Sequence, residues 1–340
     1  MKKLLTLATA VAMLGIISGV NAAEETPVFS KVEKIKIGGK AYIHYDASLL
    51  KKDNYSSAFK ITRNYLEVRG YFNDKDYFRT TLDVKQDTDV DKGSYVVRLK
   101  YAYLYLHDVL PYTGVELGMA HRPWIDWEEH HGWLHRDIEK TFVESSGGAH
   151  LLNSADLGAN FKGKNGIASW EIGIFNGEGY HEVENSDHFG KSIEARLSLS
   201  PVKGFTISGH TVHSFDHKDK NYDEHIYQIH AVYNTPLFLV AGQYILEKQT
   251  NGSDKTGKGY SVNCDLKLKE IASINGGVLA RYDHWDPDDS TSNDERDQFI
   301  YGVFYHLNKR VKLSLVHERI IDKTDEETAS TLMAVARIKW

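Results

Sequence analysis

Apolar and polar residues alternate along most of the chain after residue 33. In GYSVNCDLKLKE, apolar residues occupy every second position from Tyr260 to Leu268, and Ser261 and Asp265 lie among the polar residues between them. A period of two is typical of a β-strand with one apolar and one polar face. The pattern predicts about sixteen strands, each long enough to cross a bilayer with roughly 9–11 residues. We place them at 34–46, 59–72, 77–87, 94–107, 114–122, 153–161, 168–176, 191–200, 204–215, 223–234, 237–248, 259–270, 272–285, 296–307, 311–321 and 329–340.

The connections between these strands alternate in length. Tight turns at 73–76, 201–204, 235–238 and 307–310 alternate with longer polar stretches such as DHKDKNYDE, QTNGSDKTGKG and WDPDDSTSNDER. Short turns at one end and long loops at the other are typical of a transmembrane barrel. The predicted fold class is therefore all-β, a transmembrane antiparallel up-and-down β-barrel of about 16 strands. A soluble β-sandwich or lipocalin-like barrel, with its apolar face turned inward, is the competing interpretation.

In a membrane barrel, lipid covers the apolar face and closure pairs every strand edge. The side chains expected to face lipid are Leu66, Val68, Val262, Cys264, Leu266 and Leu332, whereas Arg69, Asp265 and Lys267 are expected to face water.

Both ends of the chain carry features of an exported protein. Residues 1–22 combine Lys2 and Lys3 with an apolar stretch and a small-x-small site, which predicts a cleavable signal peptide. Residues 23–33 are then a short periplasmic segment, and 34–340 form the barrel. The last ten residues, TLMAVARIKW, alternate up to Trp340. They resemble the C-terminal segment by which the barrel-assembly machinery recognises bacterial outer-membrane barrels, so Trp340 is the predicted assembly signal.

Composition excludes several classes of function. Of the 340 residues one is cysteine, Cys264, so no disulfide framework is possible. The formal charge is −6, and removing Lys2 and Lys3 takes it to −8, which argues against nucleic-acid binding. The chain lacks GxSxG, HExxH and CxxC, so we expect no enzyme, metal or cofactor. Solvated side chains rather than metal ligands are expected at the histidines in or beside residues 123–153, which are His121, His130, His131, His135 and His150.

One connection, residues 123–153, is far longer than the others. Its sequence is PWIDWEEHHGWLHRDIEKTFVESSGGAHLLN, and it holds three of the six tryptophans. A connection of this length is usually functional or disordered, and the tryptophans argue against disorder. Within it, IDWEEHHGW predicts a short helix capped by Asp126 and ended by Gly132.

The connection is rich in acidic residues, and the strands before it are rich in basic ones. The basic side chains of predicted strands two to five, called here the basic wall, are Arg63, Arg69, Arg79, Lys85, Arg98, Lys100 and Arg122. The acids of the connection are Asp126, Glu128, Glu129, Asp137, Glu139 and Glu144. We expect the basic wall to face these acids across water and to select ions by charge, with Glu128 and Glu129 opposite Arg63, Arg79, Arg98 and Arg122. Alternatively, the charges pair and hold the connection in place.

Three segments between about 101 and 163 carry a resemblance to a family. YAYLYLHDVLPYTGVELGMAHRPW, HRDIEKTF and SADLGANFKG resemble the phosphate-selective porin O/P group of Gram-negative outer-membrane porins. The resemblance implies a homotrimer of sixteen-stranded barrels in the outer membrane, each with the loop after strand 5 folded inward as a constriction. It implies passive diffusion of small hydrophilic solutes and ions, leaning toward anions. The solute stays open, because no dense arginine ladder with a lysine cluster is present. An enzymatic (lipase- or protease-like) or adhesive outer-membrane barrel is the alternative.

Overall fold

The computed structural model describes residues 32–49, 56–86, 93–180, 182, 190–216, 222–250, 254–324 and 327–340. The predicted signal peptide and most of the segment 23–33 lie outside these ranges. Sixteen strands are present: β1 (Lys34–Ser48), β2 (Ser57–Tyr71), β3 (Tyr77–Gln86), β4 (Tyr95–Leu110), β5 (Thr113–His121), β6 (Ala155–Asn165), β7 (Ala168–Phe175), β8 (Lys191–Val202), β9 (Phe205–Phe215), β10 (Asp223–Asn234), β11 (Phe238–Thr250), β12 (Asp254–Lys267), β13 (Gly276–Asp286), β14 (Arg296–His306), β15 (Val311–Asp322) and β16 (Glu327–Lys339). Within the ranges given above, two short helices accompany them, α1 (Ile125–His131) and α2 (Lys269–Ala272).

Every strand pairs antiparallel with the next, and β16 returns to β1 to close the barrel. At this seam Lys40 lies opposite Lys339 and Tyr45 opposite Ala334. Closure leaves no strand edge unpaired, which hydrocarbon surroundings demand. The predicted fold class is confirmed, and each predicted strand overlaps an observed one.

Two predicted boundaries around β12 are wrong. The predicted loop QTNGSDKTGKG is mostly strand, since β11 runs to Thr250 and β12 begins at Asp254. At its other end β12 stops at Lys267, because residues Lys269–Ala272 form α2, which ends on Ser273 in the left-handed region (φ 58°). Polar residues extend a strand here because backbone pairing, rather than burial, holds the strand ends together.

The barrel is apolar outside and polar inside. On β12, Val262 and Leu266 are 49% and 45% exposed, whereas Asp265 between them is 3% exposed. Cys264 is also exposed, and Leu66, Val68 and Leu332 face outward in the same way. Arg69 and Lys267 belong to the opposite, partly buried face. An apolar outer surface around a polar interior is the reverse of a soluble barrel and suits a lipid environment.

A β-bulge interrupts the alternation on β2, and another interrupts it in the middle of β4. Tyr42 pairs with Arg63 but Ile43 pairs with Ile61, so Thr62 is an extra residue. Thr81 pairs with Tyr101 but Leu82 pairs with Leu99, so Lys100 is the second extra residue. A bulge breaks the rule that successive side chains take opposite faces. In consequence Lys100 and Tyr101 are both buried inside the barrel.

Neither helix within the described part of the chain has the length and apolar composition that a membrane-spanning helix needs.

Candidate functional site: the barrel interior and its inward loop

Residues 123–153, the inward loop, lie inside the barrel. Side chains from distant strands reach its backbone carbonyls: Asn263 on β12 donates to Gly132 at 3.1 Å, and Arg296 on β14 donates to Ser146 at 2.8 Å. On β1, the His44 Nε2 lies 2.8 Å from the Asp137 carbonyl oxygen. These strands lie across the closed sheet from β5 and β6, which the loop connects, so the contacts place the loop in the lumen.

Tryptophans seat the loop on apolar patches of the inner wall. Trp124 and Trp127 pack against a patch that includes Val212, Ile226 and Ile245 on β9 to β11. Trp133 packs against a second patch that includes Leu279 and Ile300. Trp124 and Trp133 are at most 1% exposed. Burial of large aromatic rings is the main apolar contribution to holding the loop.

The helix in the loop begins two residues earlier than the sequence indicates. Trp124 is the N-cap of α1 and makes no capping hydrogen bond through its side chain, while Asp126 lies in the first turn. The prediction of Asp126 as the cap is wrong, although Gly132 ends the helix as expected. Asp126 instead places its negative charge near the helix N-terminus, where the helix dipole favours it.

Arg136 neutralises two acids within the loop. It lies 2.6 Å from the Glu129 carboxylate and donates to Glu144 Oε1 at 2.9 Å. Burial alone would raise the pKa of Glu144, but the Arg136 guanidinium lowers that pKa well below its ordinary value. For Glu129 burial outweighs Arg136, and its pKa is raised. Glu129 and Glu144 therefore pair within the loop, with a cation that the basic wall does not include.

A second cluster joins the loop to the last strands. Lys312 on β15 lies 2.7 Å from Asp137, and Arg337 on β16 lies 3.5 Å from the same carboxylate. His135 Nε2 lies 3.0 Å from Asp265 on β12, and its Nδ1 lies 3.0 Å from the Lys312 Nζ. Asp137 therefore pairs with strands that the predicted basic wall does not include.

Glu128 does not face the basic wall, and that expectation is wrong. It is 1% exposed and accepts hydrogen bonds from Trp124 Nε1 at 2.7 Å and Gln243 Nε2 at 2.6 Å. Trp124 and Glu128 are four residues apart, so the helix carries both to the same seat. Burial raises the pKa of the Glu128 carboxyl to about 7. By contrast, Asp126 and Glu129 line one cavity with Arg79 and Lys100.

Arg122 is a second exception. It is 3% exposed and donates a hydrogen bond to Glu194 on β8 at 2.5 Å. Arg122 therefore links β5 to β8 and does not face the loop acids across water. The chain leaves β5 here and turns inward, which redirects the side chain toward β8.

The other members of the basic wall lie on the inner faces of β2 to β4. Arg63 lies 3.2 Å from Asp83, and Arg69 and Arg79 each lie 2.7 Å from Glu67. Lys85 and Arg98 are half-buried. Glu139, the remaining predicted loop acid, lines the same cavity as Arg63 and Lys85. Part of the wall is thus neutralised by acids of its own strands.

Two cavities border the loop. One of about 580 Å³ is lined by Lys60, Arg63 and Lys85, and one of about 530 Å³ by Lys40, Lys312 and Lys339. Tyr42, Arg136 and Asp137 line both cavities, so the two cavities adjoin at these residues.

Sequence reasoning missed Arg136, Lys312, Arg337, Lys40 and Lys339. A signal for three of them was present, because closing a barrel brings the first strand beside the last. Lys40, Arg337 and Lys339 then join the wall that begins at β2.

The histidines of the loop have local partners. His130 and His131 place Nδ1 at 2.6 and 2.7 Å from the carbonyl oxygens of Asp126 and Trp127, one turn earlier. His121 Nδ1 lies 2.9 Å from Glu116, and His150 is exposed. Within the ranges that the structure describes, no group of three or more His, Cys, Asp or Glu is placed to hold a metal ion.

The sequence matches no protein-family model and no curated relative. Solved structures are similar at low identity. The anion-selective porin from Comamonas acidovorans has a TM-score of 0.68 at 12% identity, covering 90% of this chain and 99% of that one. OmpF of Salmonella typhi, in complex with daunomycin, has a TM-score of 0.66 at 12% identity, covering 90% of this chain and 98% of that one. A trimer form of OmpT, an outer membrane protein of Vibrio cholerae, has a TM-score of 0.62 at 10% identity, covering 91% of this chain and 100% of that one. At these identities the likeness shows that the chain has the fold of sixteen-stranded outer-membrane barrels.

Proposed function

We propose that the chain forms a water-filled outer-membrane channel for passive diffusion of small hydrophilic solutes and ions. The observation that carries this proposal is the pair of cavities that meet at Tyr42, Arg136 and Asp137 inside a closed barrel. A polar lumen within an apolar outer surface is the arrangement that a diffusion pore requires. The fold shared with porins supports the proposal, and the inward loop is its constriction.

The channel favours anions. The whole chain is acidic, with a formal charge of −6, yet seven Lys or Arg and four Asp or Glu line the 530 Å³ cavity. Lys40 and Lys339 lie directly opposite each other across the seam. Like charges in that position destabilise a sheet, so a role in the lumen accounts for them better than stability does. A charge beside a narrow passage acts more strongly on an ion than one in bulk water.

We also propose that the channel assembles as a homotrimer in outer-membrane lipid after export and insertion by the barrel-assembly machinery. The trimer form of the similar Vibrio cholerae protein supports the oligomeric state. The expected mass in detergent is that of three chains, which sedimentation would measure.

Single-channel recording of the purified protein tests the channel. Stepwise conductance is expected, and the enzymatic and adhesive alternatives predict none. Replacing residues 124–150 by a short Gly-Ser linker should raise the conductance, because the constriction is removed. His121 and Ala155 are paired neighbours on β5 and β6, so the barrel can close across the gap. Replacement of the connection 287–295 by the same linker is the control. Unchanged conductance after loop replacement would show that residues 123–153 do not set the waist.

Reversal potentials in asymmetric KCl test the charge preference. The double variant Lys40→Met/Lys339→Met should lose anion preference, most clearly at low salt, where screening is weak. Lys75→Met/Lys309→Met is the matched control, since both lysines are exposed in turns at the same end of the barrel. An equal shift in both double variants would assign the preference to general surface charge.

A further inference from the structure

Lys100 is a buried cation without a carboxylate partner among the described residues. It is 4% exposed, and its ammonium donates a hydrogen bond to the Tyr65 hydroxyl at 3.2 Å. The same ammonium lies 4.7 Å from the Tyr65 ring centroid and 5.5 Å from that of Tyr101. Arg79, in contrast, has Glu67 at 2.7 Å. An ammonium has three donors, so Lys100 keeps hydrogen-bonding capacity that the described residues leave unused.

The backbone is distorted so that Lys100 and Tyr101 both enter the lumen. Lys100 is the extra residue of the β4 bulge, between Leu99, which is 46% exposed on the outer surface, and Tyr101, which faces inward. Without the bulge, Lys100 and Tyr101 would take opposite faces. Bulges that re-aim a side chain are common beside functional sites. Burying an unpaired charge costs free energy, so the arrangement favours a role in binding.

A cavity adjoins this ammonium. It has a volume of about 290 Å³, and its lining includes Lys100, Arg79, Tyr42, Tyr65 and Tyr101. Small-molecule sites typically measure roughly 300–1,000 Å³, so this one suits a small ligand. Tyrosine rings offer flat apolar surface, and the ammonium and guanidinium offer charge-assisted hydrogen bonds to an anionic group.

Acids in the same cavity restrict the charge of that ligand. Glu67, Asp126 and Glu129 also line it. Glu67 is paired with Arg79, and Glu129 with Arg136 at 2.6 Å, so Lys100 is the one of these three cations that has no carboxylate partner in the described part of the chain. A dianion such as phosphate would bring its second charge toward these carboxylates, and like-charge contacts discriminate against a ligand.

We propose that this cavity binds a small organic monocarboxylate with a flat apolar body. The carboxylate contacts Lys100 and Arg79, and the body lies against the tyrosine rings. The inference rests on the proposed channel, since the ligand reaches the cavity through the lumen. Lys40 and Lys339 line the same cavity and attract the anion toward it.

Calorimetric titration of benzoate into the folded protein in detergent tests the site. Saturable binding to the wild type is expected, with affinity about tenfold or more lower in Lys100→Met, as the loss of a charged hydrogen bond implies. Lys85 also lies on the inner wall but lines the 580 Å³ cavity, so Lys85→Met should bind benzoate like the wild type. Inorganic phosphate should displace benzoate only at much higher concentration. No saturable binding, equal affinity in Lys100→Met, or equally effective phosphate would overturn the proposal.

A second variant and a conductance measurement distinguish failure of the binding site from failure of the channel. Lys100→Gln can still hydrogen-bond to Tyr65 and replaces Lys100→Met if the latter does not fold, with the same loss of affinity expected. Titration needs no conductance, so Lys100-dependent benzoate binding by a protein that conducts no chloride would reject the channel and keep the site. Chloride conductance in a wild type that binds no benzoate would reject the site and keep the channel.

Discussion

Glu128 combines two properties that rarely occur together, an ionisable group and nearly complete burial. It shares the helix face of Trp124, and burial raises the pKa of its carboxyl from 4.5 to about 7. Between these two values the folded protein keeps a proton that the unfolded chain has released. The contribution of Glu128 to stability is therefore fully present below about pH 4.5 and is lost as pH rises toward about 7.

We expect wild-type stability to fall relative to that of Glu128→Gln as pH rises from 5 to 7, and to level off above that range. The measurement is the free energy of unfolding by urea in detergent, followed at several pH values. Taking the difference between the two proteins cancels groups common to both, such as His135. Glu270→Gln, at an exposed position on α2, should show no such trend. A difference that is constant across pH would contradict the assignment.

At the scale of an element, the inward loop is held by its own charges as well as by its tryptophans. Arg136→Met would leave Glu129 and the 2%-exposed Glu144 buried without their cation. Breaking a buried ion pair from one side typically costs about 3–5 kcal/mol. The loop should detach at lower urea, detected by tryptophan fluorescence, since three of the six tryptophans lie in the loop.

Two variants separate charge from packing at this position. Arg310→Met, in an exposed turn, should be neutral. Arg136→Met/Glu129→Gln/Glu144→Gln should recover much of the loss, because the uncompensated charges are removed with the cation. A triple variant as unstable as the single one would show that lost packing, not charge, is responsible.

At the scale of the whole molecule, the seam between β1 and β16 completes the barrel. Gly39 and Trp340 exchange two backbone hydrogen bonds of 3.2 Å each at its end. The Trp340 ring lies over Gly39, where an added Cβ would come within 2.2 Å of it. Glycine at this position lets the ring cover the backbone of β1.

Deleting Trp340 should lower the yield of folded barrel, because the seam loses both hydrogen bonds and the ring. Gly39→Val should produce the same defect with Trp340 present, because the added side chain displaces the ring and also clashes with the Tyr65 carbonyl oxygen on β2, 2.3 Å from the new Cβ. The folded fraction is measured by the heat-dependent shift of electrophoretic mobility, with Lys339→Gln as the control. Normal folding of both variants would show that Trp340 has no role in barrel closure or assembly.

The alternation of residue types predicted the strands, the outward and inward faces, and the place of the inward loop. The faces of Val262, Cys264 and Asp265 follow from a local rule, since successive side chains of a strand take opposite sides. The end of α1 at Gly132 is local in the same sense. Such features depend on a few adjacent residues, so the sequence by itself determined them.

Tertiary structure alone decided which charges meet. Arg122 finds Glu194 across 72 positions, His135 finds Asp265 across 130, and Asp137 finds Arg337 across 200. Tyr101 points inward beside Lys100 because a bulge changes the register of β4, which its alternation does not reveal. These pairings depend on how the barrel closes and how the loop packs within it. A charge pattern along the chain shows which ions are present, but only the folded geometry brings each one to its partner.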